Sequence, residues 1–136
     1  MTRDLIVSKV KQLNLPGGSY VVFGSGPLTA VGLREANDID LYVSKEVFED
    51  LKAKGWEVRV KSPNDKPLVS DLFEAHESWD FSPDNPPLKD LLARSFVIDG
   101  VRFASLEDVR KWKVASGRPK DLNDIKLIDG YMKNGN

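Results

Sequence analysis

The stretch of sequence that decides the fold is FGSGPLTAVGLREANDIDLYV, which runs from Phe23 to Val43. It places a glycine–serine turn ahead of two carboxylates, Asp38 and Asp40, which are separated by one isoleucine. Alternating residues over 38–43 predict a β-strand, an environment that usually disfavours aspartate. Because residues i and i+2 of a strand project from the same face, the two carboxylates should point the same way and repel each other.

A divalent cation would remove that repulsion. Mg²⁺ takes oxygen ligands in octahedral geometry and keeps waters or substrate phosphates in its remaining positions. The Gly24–Ser25 turn supplies the complementary half, because a glycine-rich turn before a helix presents N–H groups to a phosphate, and the Ser25 hydroxyl can donate to one. Taken alone, the Gly24–Ser25 turn is best interpreted as an ordinary turn that binds nothing, and the Asp38–Asp40 strand as the solvated face of a sheet. Together, in this order, they predict a site for a metal-bound polyphosphate.

Size and composition are those of one ordinary globular domain: the chain has 136 residues, of which 40% are hydrophobic and 30% charged. The net charge of −1 gives no overall basic field for nucleic acid or an anionic membrane, although Arg110 to Lys120 holds five basic residues and no acidic one. The lack of cysteine excludes disulfides and thiolate chemistry. Because no segment resembles a signal peptide or reaches the length of a membrane span, we expect residues 1–136 to form a single cytoplasmic domain without membrane association.

The hydrophobic pattern predicts an α/β (α+β) domain with a sheet flanked by helices. Helices are expected over 2–14, from Pro27 to near Gly32, from Ser44 to Gly55, around 88–92, over 105–117 and from Pro119 or Asp121 through Ile128. Strands are expected over 20–23, 38–43, 56–60 and 71–79. A hairpin is expected over 96–103, because its Asp99-Gly100 pair supplies the positive φ angles of a tight turn. The segment 61–69 is interpreted as a loop and Pro83–Pro87 as a turn.

Two motifs of the chain resemble the nucleotidyltransferase superfamily that includes DNA polymerase β and the minimal bacterial nucleotidyltransferases. Its signature, hydrophobic-Gly-(Gly/Ser), a spacer, then Asp-hydrophobic-(Asp/Glu)-hydrophobic, is similar to Phe23-Gly24-Ser25, twelve residues and Asp38-Ile39-Asp40-Leu41. SLEDVRKWKVASGRPKDLNDIKLI, from Ser105 to Ile128, resembles a Lys-x-x-x-Gly-Arg-x-Lys-Asp-x-x-Asp segment of bacterial relatives of abortive-infection and toxin–antitoxin proteins. The resemblance implies a nucleotidyltransferase-like fold: a small mixed β-sheet flanked by helices, with a C-terminal helical pair.

The resemblance also implies a chemistry. Asp38 and Asp40 would hold one or two Mg²⁺ ions, and Gly24 and Ser25 would contact the β- and γ-phosphates of a nucleoside triphosphate. An acceptor hydroxyl would attack the α-phosphorus in line and pyrophosphate would leave, with metal ions neutralising charge on the attacking and departing oxygens. The acceptor can be a small molecule, a protein side chain or an RNA end.

A third carboxylate would complete the set of metal ligands. Glu74 is assigned this role because FEAHESW, residues 73–79, resembles the hydrophobic-Glu…Trp strand of related proteins. Asp71 and Glu77 remain alternatives, and an ordinary surface position for Glu74 is equally compatible with the pattern. His76 shares a strand face with Glu74 and is interpreted as an ordinary residue rather than a general base. The three tryptophans are expected to be core residues: Trp56, Trp79 and Trp112.

Four basic residues are expected to contact the nucleotide or its acceptor: Arg34, Lys113, Arg118 and Lys120. The resemblance singles out Lys113 as a triphosphate or acceptor contact, whereas isolated charges of this kind are usually a solvated basic face. For Arg34 the alternatives are an ion pair with Asp38 or Asp40 and a contact to phosphate. Asp121 and Asp124 fit a helix cap and a first-turn acid.

The alternative to an enzyme is a catalytically weak or inactive relative that acts as a nucleotide- or partner-binding module, for instance within a toxin–antitoxin pair. Gly26-Pro27 follows Ser25 where many members carry a longer helix, which favours this alternative. The chain also lacks an evident acceptor-binding domain, so a large acceptor must be held by a second subunit, as in a homodimer, or by a partner protein. A structural protein without a ligand would leave the paired carboxylates unexplained.

Overall fold

A mixed β-sheet forms the centre of the computed structural model, which describes residues 1–79 and 85–134. Its strands are β1 Tyr20–Phe23, β2 Ile39–Val43, β3 Glu57–Val58, β4 Leu68–Ser70, β5 Phe73–His76, β6 Phe96–Ile98 and β7 Val101–Phe103. The helices are α1 Arg3–Leu13, α2 Gly26–Ala30, α3 Lys45–Ala53, α4 Leu88–Arg94, α5 Leu106–Ser116 and α6 Pro119–Asn134. The predicted mixed sheet, flanking helices and C-terminal helical pair are therefore confirmed.

The order of strands across the described sheet is β3-β4-β5-β2-β1-β7-β6. Strand β2 lies at the centre, antiparallel to β1 and parallel to β5, and β1 is parallel to β7. The register pairs Phe23 with Asp40 and Asp40 with Glu74. This row places the end of β1, where the Gly24–Ser25 turn begins, in line with the acidic residues of β2 and β5.

Two hydrophobic clusters cover the two faces of the sheet. Val22 and Leu41 belong to one cluster, which α1 and α3 complete, and their neighbours Val21 and Tyr42 belong to the other, which α4, α5 and α6 complete. This alternation is expected of strands that are buried on both faces. Because Asp40 is two residues from Tyr42 in β2, its side chain projects toward the face that the C-terminal helices cover.

The predicted ends of several elements are confirmed by their caps. Thr2, Ser44 and Ser105 each accept a hydrogen bond from a backbone N–H three residues later, which satisfies a donor that the first turn of a helix leaves unpaired. Asp99 and Gly100 have φ angles of 50° and 84°, the values that a tight hairpin turn requires. Local sequence was therefore sufficient to locate these boundaries.

The sheet edge nearest β3 differs from the prediction. The strand expected over 56–60 is only the two exposed residues Glu57–Val58, because it is an edge strand that pairs with β4 alone. Strand β4 begins at Leu68, inside the segment predicted to be a loop over 61–69, so that interpretation was wrong at its end. The strand expected over 71–79 is shortened to Phe73–His76, because Asp71 has a φ of 52° and belongs to the turn between β4 and β5.

The remaining predictions concern the start of β2, the turn before α4 and membrane-spanning segments. The strand predicted to begin at Asp38 begins one residue later, at Ile39. Of the predicted turn Pro83–Pro87, residues 83 and 84 lie outside the described residues. Among the described residues, no helix combines the length and the apolar character needed to cross a membrane.

Candidate active site

A cleft of about 980 Å³ opens at the end of the Phe23–Asp40–Glu74 row. The ends of the central strands, the 61–67 loop and the C-terminal helices form its walls. Its volume is at the upper end of the roughly 300–1,000 Å³ that ligand pockets span. All the predicted site residues line this cleft: Gly24, Ser25, Arg34, Asp38, Asp40, Glu74, Lys113, Arg118 and Lys120. The structure thus brings together two groups of residues that are far apart in the sequence.

Asp40 is the most perturbed carboxylate of the site. Burial, together with the nearby negative charges of Asp38 and Glu74, raises the pKa of its carboxyl group to about 8 against the smaller lowering effect of Lys61 and Lys113. The described residues provide neither a hydrogen bond nor an ion pair to the Asp40 carboxylate. Oxygen or nitrogen atoms of Asp40, Glu74 and His76 all lie within 4.8 Å of one another, whereas Asp38 is exposed at the rim. A cation between these groups would relieve the cost of ionising Asp40.

Glu74 has the opposite electrostatic environment. Burial raises its pKa, but hydrogen bonds from His76 and Lys61 outweigh burial and hold the pKa at about 2. The distances to Glu74 Oε1 are 2.9 Å from His76 Nε2 and 2.5 Å from Lys61 Nζ. The alternative acids are placed differently: Asp71 bonds Lys9 at 2.7 Å and lies outside the cleft lining, and Glu77 is exposed on the cleft wall.

Gly24 brings the turn into contact with Asp40. Its φ is +61°, and a Cβ at this position would overlap the Asp40 carboxylate. Only glycine has both the backbone freedom and the missing side chain that this approach requires. The turn and the acidic strand therefore meet at one point, as the sequence pattern predicts.

We expect Gly24→Ala to lower metal-dependent nucleotide binding by more than about tenfold, since the new methyl group must displace the Asp40 carboxylate or the turn. Gly32→Ala is the matched control, because Gly32 also has a positive φ, +80°, but a Cβ there would meet no atom within 4 Å. Both variants carry backbone strain, so calorimetric titration with a nucleoside triphosphate isolates the contact to Asp40. Equal binding by the two variants would contradict the contact's importance.

Arg34 does not pair with Asp38 or Asp40, so that expectation was wrong. Its Nε and Nη2 atoms donate to the two carboxylate oxygens of Asp124 at 2.7 and 2.8 Å, and Nη2 also donates to Ser25 Oγ at 2.5 Å. A bidentate guanidinium–carboxylate pair fixes both distance and orientation. Arg34 therefore bridges Asp124 of α6 and Ser25 of the Gly24–Ser25 turn.

Lys113 is a buried ion-pair residue, with 3% of its side chain exposed. Its Nζ lies 2.8 Å from Asp124 Oδ2 and 3.4 Å from Asp121 Oδ1, and Arg118 also pairs with Asp121. Burial raises the pKa of Asp121, but Arg118 and the other partners outweigh it and hold the pKa at about 2. Asp121 lies in the first turn of α6 and accepts a hydrogen bond from the Arg118 backbone N–H, as a capping acid does. Asp121 and Asp124 are in addition buried members of an ion-pair network, which the sequence did not predict.

The cations that remain accessible lie at the cleft mouth. Lys120 is exposed, and 44% of the Arg118 side chain is exposed although it pairs with Asp121. Both guanidinium and ammonium groups of this wall pack on Trp112, with Arg118 5.4 Å and Lys113 4.9 Å from its ring centroid. Lys113 is thus part of the buried structure, whereas Arg118 and Lys120 present accessible positive charge to the cleft.

Sequence reasoning missed Lys61 and underrated His76. Lys61 lies in a loop whose composition gives no signal for an approach to Glu74. His76 sits two residues from Glu74 on β5, so its place on the same strand face was predictable, but its contact with Trp79 at a centroid distance of 4.4 Å was not. The tryptophans belong to the hydrophobic core, as predicted: Trp79 is buried in one cluster, Trp112 packs against that cluster, and Trp56 packs against the other. Trp79 and Trp112 also line the cleft.

Comparison with known proteins gives a match in structure alone. No model of a known protein family matches the chain, and no curated protein matches it by sequence. A crystal structure of ANT(2″)-Ia, an aminoglycoside nucleotidyltransferase, in complex with adenylyl-2″-tobramycin superposes with a TM-score of 0.53 over 93% of this chain and 85% of that chain, at 18% identity. The chain has the nucleotidyltransferase fold. A solution structure of the antibiotic-resistance factor ANT(2″)-Ia agrees, with a TM-score of 0.54 at 18% identity over 93% of this chain and 80% of that chain.

Within this nucleotidyltransferase fold, the stability of the metal-free protein should fall as pH rises. The pKa of Asp40 is 3.8 in an unfolded chain and about 8 here, so the folded state holds a proton that the unfolded state releases across that window. Asp40→Asn removes this titrating carboxyl group and should make the free energy of unfolding depend less on pH. Urea unfolding in EDTA at about pH 5 and about pH 9 measures it. If the free energy of unfolding fell equally in wild type and Asp40→Asn, the raised pKa of Asp40 would be contradicted.

Proposed function

We propose that this protein is a metal-dependent nucleotidyltransferase that transfers a nucleoside monophosphate from a nucleoside triphosphate to an acceptor hydroxyl and releases pyrophosphate. The observation that carries the proposal is the contact of the Asp40 carboxylate with the Gly24 backbone, beside Glu74. Metal-ligating oxygens and a phosphate-binding turn thereby share one end of the cleft. The nucleotidyltransferase fold supports the same chemistry.

The residues at this end fit a divalent cation such as Mg²⁺. Asp40 has no other described partner, Glu74 is already ionised, and their register places them side by side. Asp38, exposed at the rim, would contribute through a water or from the substrate side. When bound, the ion would neutralise charge on the transferred phosphate and on the attacking and departing oxygens.

Ser25 is oriented to donate to a phosphate oxygen. Its Oγ accepts a hydrogen bond from Arg34, so the hydroxyl proton is directed away from the guanidinium and remains available. Helix α2 has only five residues, so the phosphate contact rests on the turn and this hydroxyl rather than on a helix terminus. Arg118 and Lys120, on the facing wall, would balance the remaining charge of the triphosphate.

The acceptor is a separate question. The neighbouring ANT(2″)-Ia structure contains adenylyl-2″-tobramycin, an aminoglycoside that carries a nucleotide. At 18% identity, this chain shares the fold, and its acceptor is to be sought among small molecules, protein side chains and RNA ends. The cleft volume of about 980 Å³ is large enough for a nucleotide together with part of an acceptor.

The test is to incubate the protein with each of the four α-labelled ribonucleoside triphosphates, Mg²⁺ and one acceptor class at a time. We expect pyrophosphate release and label transfer with at least one combination, and neither product with Asp40→Asn. Metal-dependent nucleotide binding without release for every acceptor class would favour the binding module instead. One observation favours that second candidate: Lys113, the cation that the sequence motif assigns to the triphosphate, is held by two buried acids.

A further inference from the structure

The group of ligand atoms between β2 and β5 includes a nitrogen. His76 Nε2 and Glu74 Oε1 are 2.9 Å apart, and Asp40 offers an oxygen less than 4.8 Å from both. Two ligands on adjacent corners of an octahedron, each about 2.1 Å from the metal, are about 3.0 Å apart. The pair is hydrogen-bonded in the metal-free protein, and the same spacing suits neighbouring ligands of one ion, with an Asp40 oxygen close enough to be a third ligand.

The ring of His76 is held in the orientation that ligation needs. It packs on Trp79 and its side chain is only 12% exposed, which restricts rotation. Its second nitrogen, Nδ1, faces Asp65 Oδ1 at 3.6 Å. This distance is beyond hydrogen-bonding range, and in the metal-free protein Nε2 carries the proton that it donates to Glu74. Binding of an ion at Nε2 displaces that proton, and the negative charge of Asp65 beside Nδ1 then favours the tautomer that is protonated on Nδ1.

We propose that the ion in this site is bound by Asp40, Glu74 and the imidazole nitrogen of His76, and that this nitrogen makes the site prefer Mn²⁺ over Mg²⁺. Mg²⁺ favours oxygen ligands, whereas imidazole strengthens binding of first-row transition ions. The inference rests on the metal site of the proposed function but assigns it a different ligand and a different ion. Asp65 acts through His76 and is a positioning residue.

Lys61 competes with the ion for Glu74. Its ammonium group bonds the same Oε1 atom that His76 contacts, and 41% of the Lys61 side chain is exposed, so it has solvent to move into. An ion bound at Oε1 requires this ammonium to move away. Lys61→Met should therefore raise the affinity for Mn²⁺ several-fold.

The experiment titrates the purified protein with Mn²⁺ and with Mg²⁺ and compares wild type with His76→Gln. We expect the preference for Mn²⁺ over Mg²⁺ to fall by about tenfold or more in His76→Gln and to fall in the same direction in Asp65→Asn. Asp71→Asn is the control, because Asp71 lies on Lys9 outside the cleft and should keep the wild-type preference.

Electron spin-echo measurements on bound Mn²⁺ supply a readout that needs no variant and no turnover. A directly bound imidazole should produce ¹⁴N modulation in the wild type, absent in His76→Gln. Bound Mn²⁺ without nitrogen modulation, and an unchanged ion preference in His76→Gln, would overturn the inference and leave an oxygen-only site. Nucleotidyl transfer then tests the proposed function separately: nitrogen-ligated Mn²⁺ without transfer supports the inference alone, and transfer without nitrogen ligation supports the function alone.

Discussion

Lys113→Met should lower the free energy of unfolding by about 3 kcal/mol, because the substitution removes the cation that two buried carboxylates share and leaves each of them with one arginine partner. Asp121 and Asp124 are essentially inaccessible to solvent, and Lys113 lies between them. For a domain of this length the loss corresponds to a fall in Tm on the order of 10 °C. Thermal and urea unfolding, followed by circular dichroism, measure it directly.

Lys111→Met is the matched control, since Lys111 is on the same helix and is exposed. It should change stability little. If Lys113 were instead a free phosphate-binding residue, Lys113→Met would leave stability near that of Lys111→Met and would weaken nucleotide binding alone. Equal stability of the two variants therefore contradicts the ion-pair network.

Asp40→Asn and Glu74→Gln should each lower the rate of pyrophosphate release by about 10³-fold or more, because metal ions contribute several kcal/mol to stabilising the transition state of phosphoryl transfer. Both variants should also lose the part of nucleotide affinity that depends on the metal. Calorimetry with a nucleoside triphosphate, in Mg²⁺ and in EDTA, separates this part from the rest.

Asp71→Asn discriminates between the alternative third carboxylates. Asp71 has a positive φ, which asparagine tolerates, and its side chain bonds Lys9 rather than the cleft. We expect near wild-type turnover and metal dependence. Loss of turnover in Asp71→Asn together with normal turnover in Glu74→Gln would transfer the metal-binding role from Glu74 to Asp71.

The placement of the central residues of the candidate site could be predicted because its information is local. Asp38 and Asp40 are two residues apart, the turn follows directly on a buried strand, and glycine at position 24 is required by a positive φ and a close contact. Such features depend on strand alternation and backbone geometry, which a short sequence determines. The same holds for the serine caps and the Asp99-Gly100 hairpin.

The partners of the charged residues could not be predicted, because they come from distant parts of the chain. Arg34 and Asp124 are 90 residues apart, and only the packing of α6 beside the turn brings them together. Lys61 reaches Glu74 from a loop whose position depends on the β4–β5 hairpin, and β4 itself was predicted as loop. Charge alone gives no indication of whether a lysine is solvated, as Lys120 is, or buried, as Lys113 is.

A crystal structure with Mn²⁺ and a non-hydrolysable nucleoside triphosphate tests the central claim most directly. We predict an anomalous-scattering peak within ligand distance of both Asp40 and Glu74, with the triphosphate lying against the Gly24–Ser25 turn. An ion bound elsewhere, or a triphosphate that leaves this turn and the Asp40 carboxylate without contact, would contradict the account.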